Sequence, residues 1–69
     1  MSVAKVIEVK ASSNQSFEDA VHQGIARATD SLDDVTGAWI QDQQVKVVNG
    51  KISEYRVALK VTFVLKPAA

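Results

Sequence analysis

The sequence predicts an α+β domain of order β-α-β-β, in which a three-stranded antiparallel sheet wraps around one helix. Apolar residues at helical spacing lie between segments rich in valine and isoleucine, and the last two of those segments flank Asn49-Gly50. Asn-Gly is preferred in tight type I′ hairpin turns because both central residues need positive φ. With 69 residues, the chain is expected to form a single domain, 1–69,.

The first strand is predicted over residues 4–11, and the polar stretch SSNQS then ends it,. Ser16 has the properties of a helix N-cap, since its hydroxyl can accept a hydrogen bond from the backbone N–H of Asp19,. Glu18 and Asp19 are favourable near the positive end of the helix dipole. A helix is therefore predicted to begin at Ser16.

The helix carries one apolar stripe, which predicts the side that packs on the sheet. Its members are Phe17, Val21, Gly24, Ile25, Ala28 and Leu32. Gly24 costs about 1 kcal/mol relative to alanine in a helix interior, so it predicts a close approach to the sheet. The segment DSLDDVTG, residues 30–37, is expected to end the helix and lead to the next strand.

The second strand is predicted over residues 38–48 and the third over 52–66. The third strand alternates regularly, which assigns its side chains to two faces. One face is expected to hold Tyr55, Val57, Leu59, Val61, Phe63 and Leu65, and the other Arg56, Ala58, Lys60, Thr62 and Val64. One helix can cover only one side of such a sheet, so the other side and the strand edges invite self-association.

Composition excludes several classes of protein. Eight basic and eight acidic residues give zero net charge, which argues against a nucleic-acid partner,. Without cysteine, disulfides and zinc-thiolate sites are impossible,. No signal peptide and no apolar run of about 20 residues is present, so we expect a cytoplasmic protein without a membrane partner. No set of nucleophile, base and orienting residue indicates an enzyme.

A chain this short buries only about 60% of the surface that its unfolded state exposes, so a monomer would be marginally stable. Small domains usually add a disulfide, a metal or a partner subunit. Because cysteine is absent, a homo-oligomer is the expected arrangement.

The helix segment SFEDAVHQGIARATDSLDDV and the strand segment EYRVALKVTFVL resemble the dodecin family over nearly the whole chain. The resemblance implies a hollow dodecamer that stores or sequesters a flavin (riboflavin or FMN) between subunits.

By the same resemblance, flavin-binding members stack the ligand on a tryptophan of the second strand and read its polar edge with a glutamine of the third. Counted without gaps, Gly37 stands at the tryptophan position and Trp39 follows two residues later, while Arg56 stands at the glutamine position. Asp42 matches an acidic position that contacts the ribityl chain. Because strands have a period of two, residues 37 and 39 share a face, so Trp39 can still reach the cleft. Candidate flavin-binding residues are Gly37, Trp39, Gln41, Asp42, Gln44 and Arg56.

Other interpretations of these residues remain open. Trp39 can instead anchor a subunit interface, where tryptophan is enriched. Arg56 can pair with Glu8, Asp42 or Glu54, or neutralise a phosphate.

The alternative function is a cage without flavin, with a structural or calcium-binding role. The carboxylates Asp30, Asp33 and Asp34 near the helix end offer oxygen ligands, and one carboxylate per subunit can build an ion site on a symmetry axis,. His22 is accompanied by no second histidine and no cysteine, so it is expected to be a surface or interface residue.

Overall fold

The computed structural model describes residues 3–65. Its elements are β1 (Val3–Ser13), α1 (Phe17–Ser31), β2 (Val35–Val48) and β3 (Lys51–Leu65). The strands form one antiparallel three-stranded sheet of order β1-β3-β2. The predicted β-α-β-β order is confirmed, and the strand that is last in sequence is central in space.

Two strands are longer than predicted. β1 continues through Ser13, although serines were expected to end it, and β2 begins at Val35 rather than Ala38. The chain turns sharply at Asp34, whose φ is 56°, and the carbonyl of Asp34 accepts a hydrogen bond of 3.0 Å from the N–H of Val64 on β3. This contact aligns the chain with β3 before residue 38. The predicted last residue of β3, Lys66, lies outside the described residues.

A network of hydrogen bonds joins β1 to the start of α1. The Ser16 hydroxyl accepts from the backbone N–H of Asp19 at 2.9 Å, which confirms the predicted N-cap. The carboxylate of Asp19 accepts from the hydroxyl of buried Ser13 at 2.6 Å and from the amide of Gln23 at 2.6 Å. These hydrogen bonds lower the pKa of Asp19, with Ser13 as the larger cause.

The hydrophobic core lies between α1 and one face of the sheet. On β3 the buried residues are Val57, Leu59 and Val61, as the alternation predicted. We call this side the helix face, and the side that carries Arg56, Ala58, Lys60 and Thr62 the open face.

The helix contributes small residues to this core. Gly24 and Ala28 are buried as predicted, but Ala20 is completely buried and was not expected in the stripe. Leu32 is the C-cap, beyond the last helical residue. The stripe is therefore centred on small side chains, which lets the helix axis lie close to the sheet.

Gly24 marks the closest approach. A Cβ at this position would lie 2.9 Å from Leu59 Cδ1 and 3.2 Å from Ala11 Cβ. The contact predicted from the sequence is thus present, and it involves both β3 and β1.

The pairing of β2 with β3 is irregular. Its register shifts between Val35 and Gly37, between Ile40 and Asp42, and between Lys46 and Val47. At the second shift Gln41 is an extra residue, with no partner of its own in the ladder. A bulge of this kind changes which side chains of a strand share a face.

The hairpin turn has the predicted backbone. Asn49 has φ 52° and Gly50 has φ 75°, the left-handed values of a type I′ turn,.

The helix packs mainly on β1 and β3 and barely reaches β2. Apolar side chains of the β2-β3 hairpin consequently remain exposed. They are Ile40, Val45, Val47, Val48 and Ile52.

Candidate functional site

The open face is the polar side of the sheet, and β3 runs through its middle. From β1, Glu8 pairs with Lys60, Lys10 with Ala58 and Ser12 with Arg56. Residues directly opposite in an antiparallel pair have their side chains on the same face. Charged groups of both signs are therefore brought together across the sheet.

From β2, the open face receives Gly37 opposite Thr62, Trp39 opposite Lys60, Asp42 opposite Ala58 and Gln44 opposite Arg56. In a regular strand, residues 39 and 42 would point to opposite faces because the side-chain period is two. The bulge at Gln41 cancels that difference. It is the reason that the tryptophan and the two polar side chains after it lie side by side.

The indole of Trp39 is a half-exposed surface, with 51% of the residue accessible. The ammonium nitrogen of Lys60 lies over the ring, 5.9 Å from its centroid. Apart from Gly37 and its two chain neighbours, no heavy atom of the described residues lies within 4 Å of the point where a Cβ on Gly37 would stand. The space at Gly37, two residues before Trp39 on the same face, is therefore open.

A cavity of about 400 Å³ lies further along the same face, and neither Trp39 nor Gly37 is among the residues that line it. Its lining includes residues of all strands: Lys10, Ala11, Ser12, Asp42, Gln44, Glu54, Arg56, Val57 and Ala58. The volume falls within the range of about 300–1,000 Å³ that is usual for small-molecule sites. Its lining provides both hydrogen-bond donors and hydrogen-bond acceptors.

Arg56 is held within this cavity by an acidic neighbour. Its guanidinium lies 3.2 Å from the carboxylate of Glu54. Of the three partners expected from the sequence, Glu8, Asp42 and Glu54, the guanidinium thus contacts Glu54. The Ser12 hydroxyl and then Arg56 hold the pKa of Glu54 below its usual range. An oriented guanidinium with free N–H groups can still donate to carbonyl or phosphate oxygens.

The candidate residues from the sequence fall into two groups. Gly37, Trp39, Asp42, Gln44 and Arg56 share the open face. Gln41 is the bulged residue and does not line the cavity.

Sequence reasoning missed the cavity residues Lys10, Ser12 and Glu54. It also missed Lys60, whose ammonium lies over the indole of Trp39. Lys10 and Ser12 lie far from β2 in sequence, and only the central position of β3 brings them near. The strand order β1-β3-β2 would have indicated that Lys10 and Ser12 lie near the residues of β2, but no local sequence pattern predicts this order.

The acidic residues near the helix end do not form a metal site within one chain. Among residues 3–65, no group of three or more His, Asp or Glu side chains could hold a metal ion. His22 lies on the exposed helix surface, 3.8 Å from the carboxylate of Glu18.

These features define a class of protein: a small β-α-β-β domain that carries an exposed tryptophan and a polar, ligand-sized cavity on one face of its sheet. Within the described part of the chain, no helix is long and apolar enough to cross a membrane.

A model of the Dodecin family matches residues 3–66, and the chain belongs to the dodecin family. A curated relative, calcium dodecin of Mycobacterium tuberculosis, is 42% identical over 69 residues, covering 99% of this chain and 96% of the relative. Dodecins are small binding or storage proteins that assemble as oligomers.

Solved structures have the same fold. A variant of Thermus thermophilus dodecin has a TM-score of 0.93 at 25% identity, covering 99% of this chain and all of the other. The crystal structure of calcium dodecin from M. tuberculosis, described as a calcium-chelating antigen with a novel calcium-binding site, has a TM-score of 0.81 at 38% identity. It covers 97% of this chain, which itself covers 96% of that structure.

Proposed function

We propose that this dodecin binds a flavin on the open face and sequesters it between subunits of a homododecamer. One observation carries the proposal: the half-exposed indole of Trp39 shares its face with the cavity that Asp42, Gln44 and Arg56 line. A planar ring and a polar chain attached to it need this combination of an aromatic surface and nearby hydrogen-bonding groups.

Each residue has a distinct role in this arrangement. The isoalloxazine ring stacks on Trp39, and the open space at Gly37 admits it. The carboxylate of Asp42 accepts hydrogen bonds from ribityl hydroxyls, and Gln44 donates or accepts as the ligand requires. The guanidinium of Arg56 donates to a flavin oxygen or to the phosphate of FMN, while Glu54 holds it in place,.

The distances along β3 fit a ligand with a ring and a tail. Trp39 lies opposite Lys60, and Gln44 lies opposite Arg56, four positions earlier on β3. At about 3.3 Å per residue, these two rows are roughly 13 Å apart. A ring on Trp39 thus leaves its tail within the cavity.

The proposal is tested by titrating riboflavin and FMN with the purified oligomer and following flavin fluorescence, which stacking on Trp39 quenches. Trp39→Ala should abolish the quenching for both ligands. Ile40→Ala is the matched control, because Ile40 is the next residue, is similarly exposed (44%), and lies on the helix face. Full flavin fluorescence with micromolar wild-type protein, or equal quenching by Trp39→Ala and wild type, would refute flavin binding at this site. Light scattering on the same samples measures the mass of the assembly and so tests whether it is a dodecamer.

Calcium binding is the second candidate, and the 42% identity to calcium dodecin favours it. Since no single chain offers a cluster of ligands among residues 3–65, such a site would combine carboxylates from several subunits,. Calorimetry with Ca²⁺ on chelator-treated protein tests it. This function would replace the first if the wild type releases or absorbs heat on binding Ca²⁺, if that heat is lost in Asp30→Asn or Asp34→Asn, and if the wild type does not quench flavin fluorescence.

A further inference from the structure

Three side chains form a row across the open face beside the proposed stacking surface. Glu8 of β1 lies opposite Lys60 of β3, and Lys60 lies opposite Trp39 of β2. Cβ atoms of such directly opposite pairs are about 4.5–5.5 Å apart. Lys60 can therefore reach either neighbour with its flexible side chain.

In the structure Lys60 contacts only one of them. Its ammonium lies over the Trp39 ring at 5.9 Å from the centroid. Within residues 3–65, Glu8 and Lys60 form no ion pair with each other. An exposed carboxylate is thus available on the far side of Lys60.

We propose that Lys60 is a positioning residue that sets the affinity of the site, covering the indole of Trp39 when the site is empty and pairing with Glu8 when a planar ligand stacks there. This inference rests on the proposed function, since it assumes that Trp39 is the stacking surface. The ring and the ammonium compete for the same indole face, and Glu8 lowers the cost of moving the ammonium away.

The two residues have opposite effects on affinity. Lys60→Thr removes the competitor and keeps a strand-forming residue, so neutral riboflavin should bind about 2- to 5-fold more tightly, the factor that an exposed cation–π contact is worth. Glu8→Gln removes the alternative partner of Lys60, so riboflavin should bind about 2-fold more weakly, as expected for a surface ion pair.

The experiment compares riboflavin titrations of the assembled wild type, Lys60→Thr, Glu8→Gln and the double variant. In the double variant Glu8→Gln should have no further effect, because its partner is absent. Lys51→Thr is the matched control: it removes the same charge at the hairpin turn, far from Trp39, and should leave the affinity unchanged. Unchanged or weaker binding by Lys60→Thr would overturn the inference, while flavin binding itself would stand.

A second measurement needs no flavin. Trp39 is the sole tryptophan, so protein fluorescence reports on it alone. An ammonium over the ring attracts iodide and repels caesium, so Lys60→Thr should lower quenching by iodide and raise quenching by caesium relative to wild type, while Lys51→Thr should leave both unchanged. If the wild type binds neither riboflavin nor FMN, the proposed function fails. Equal iodide quenching of Trp39 fluorescence in wild type and Lys60→Thr would instead show that the Lys60 ammonium does not lie over the indole.

Discussion

The close contact at Gly24 predicts that a single added methyl group will destabilise this domain. The Cβ of Gly24→Ala would lie 2.9 Å from Leu59 Cδ1 and 3.2 Å from Ala11 Cβ. Leu59 is 1% exposed, so its side chain can move away from the added methyl group only by repacking within the core. The methyl group is therefore admitted either by repacking of the Leu59 side chain or by a displacement of α1 from the sheet, and both cost stability.

The magnitude follows from two opposing effects. Alanine in place of glycine favours the helix by about 1 kcal/mol, through a smaller loss of backbone entropy on folding. Overpacking a filled core costs about 1–3 kcal/mol. With a cost near the middle of that range, Gly24→Ala should lower the free energy of unfolding by about 1 kcal/mol, which corresponds to a decrease of about 4–8 °C in Tm for a domain of this size.

The assay is urea and thermal unfolding at one fixed chain concentration, since the stability of an oligomer depends on concentration. Ala26→Gly is the control: position 26 is on the exposed side of the helix and measures the backbone effect alone, a loss of about 1 kcal/mol,. Leu59→Val in the Gly24→Ala background should recover part of the lost stability by making room for the methyl group. A Gly24→Ala protein that is more stable than wild type would refute the reasoning, because helix propensity would then outweigh packing.

Two further predictions concern hydrogen bonding and register. The Ser13 and Gln23 hydrogen bonds lower the pKa of Asp19 in the folded state, so the carboxylate stabilises the fold above the unfolded-state pKa of about 3.9 and loses that contribution as pH falls through the folded value,. Asp19→Asn should therefore be less stable than wild type at pH 7, with a difference that diminishes below about pH 4 in urea unfolding; a difference independent of pH would contradict this. Deleting Gln41 removes the bulged residue and places Asp42 two positions after Trp39, so the two side chains still share the open face under strict alternation, and flavin quenching should be retained,. Lost quenching in a folded deletion variant would show that Gln41 does more than set which side chains share the open face.

Much of the fold could be predicted because several local signals agree. The alternation in β3 survives in the structure since one of its faces is buried, and a slip of one residue would expose Val57, Leu59 and Val61,. The N-cap at Ser16 and the Asn49-Gly50 turn each depend on chemistry within a few residues. Local chemistry of this kind is visible in a sequence.

The site was harder to predict because it depends on relations between strands. The shared face of Gly37 and Trp39 followed from strand periodicity, and the register agrees. The position of Gln41 could not be read in the same way, since nothing in a run of polar residues distinguishes a bulged residue from a paired one. The cover by Lys60 depends on the exact pairing of β2 with β3, which is a long-range property of the fold.

The strand order has a consequence for how the chain acquires its structure. β1 and β2 pair only with β3, which is the last of the described elements in sequence. A growing chain that has emerged as far as residue 50 holds two unpaired strands and a helix of 15 residues, a length that is marginal in isolation,. The sheet can therefore form only after β3 has left the ribosome, and it then forms as one cooperative event. A chain cut before β3 would expose the edges of both strands, and we expect a quality-control protease to remove it rather than a partly folded domain to persist.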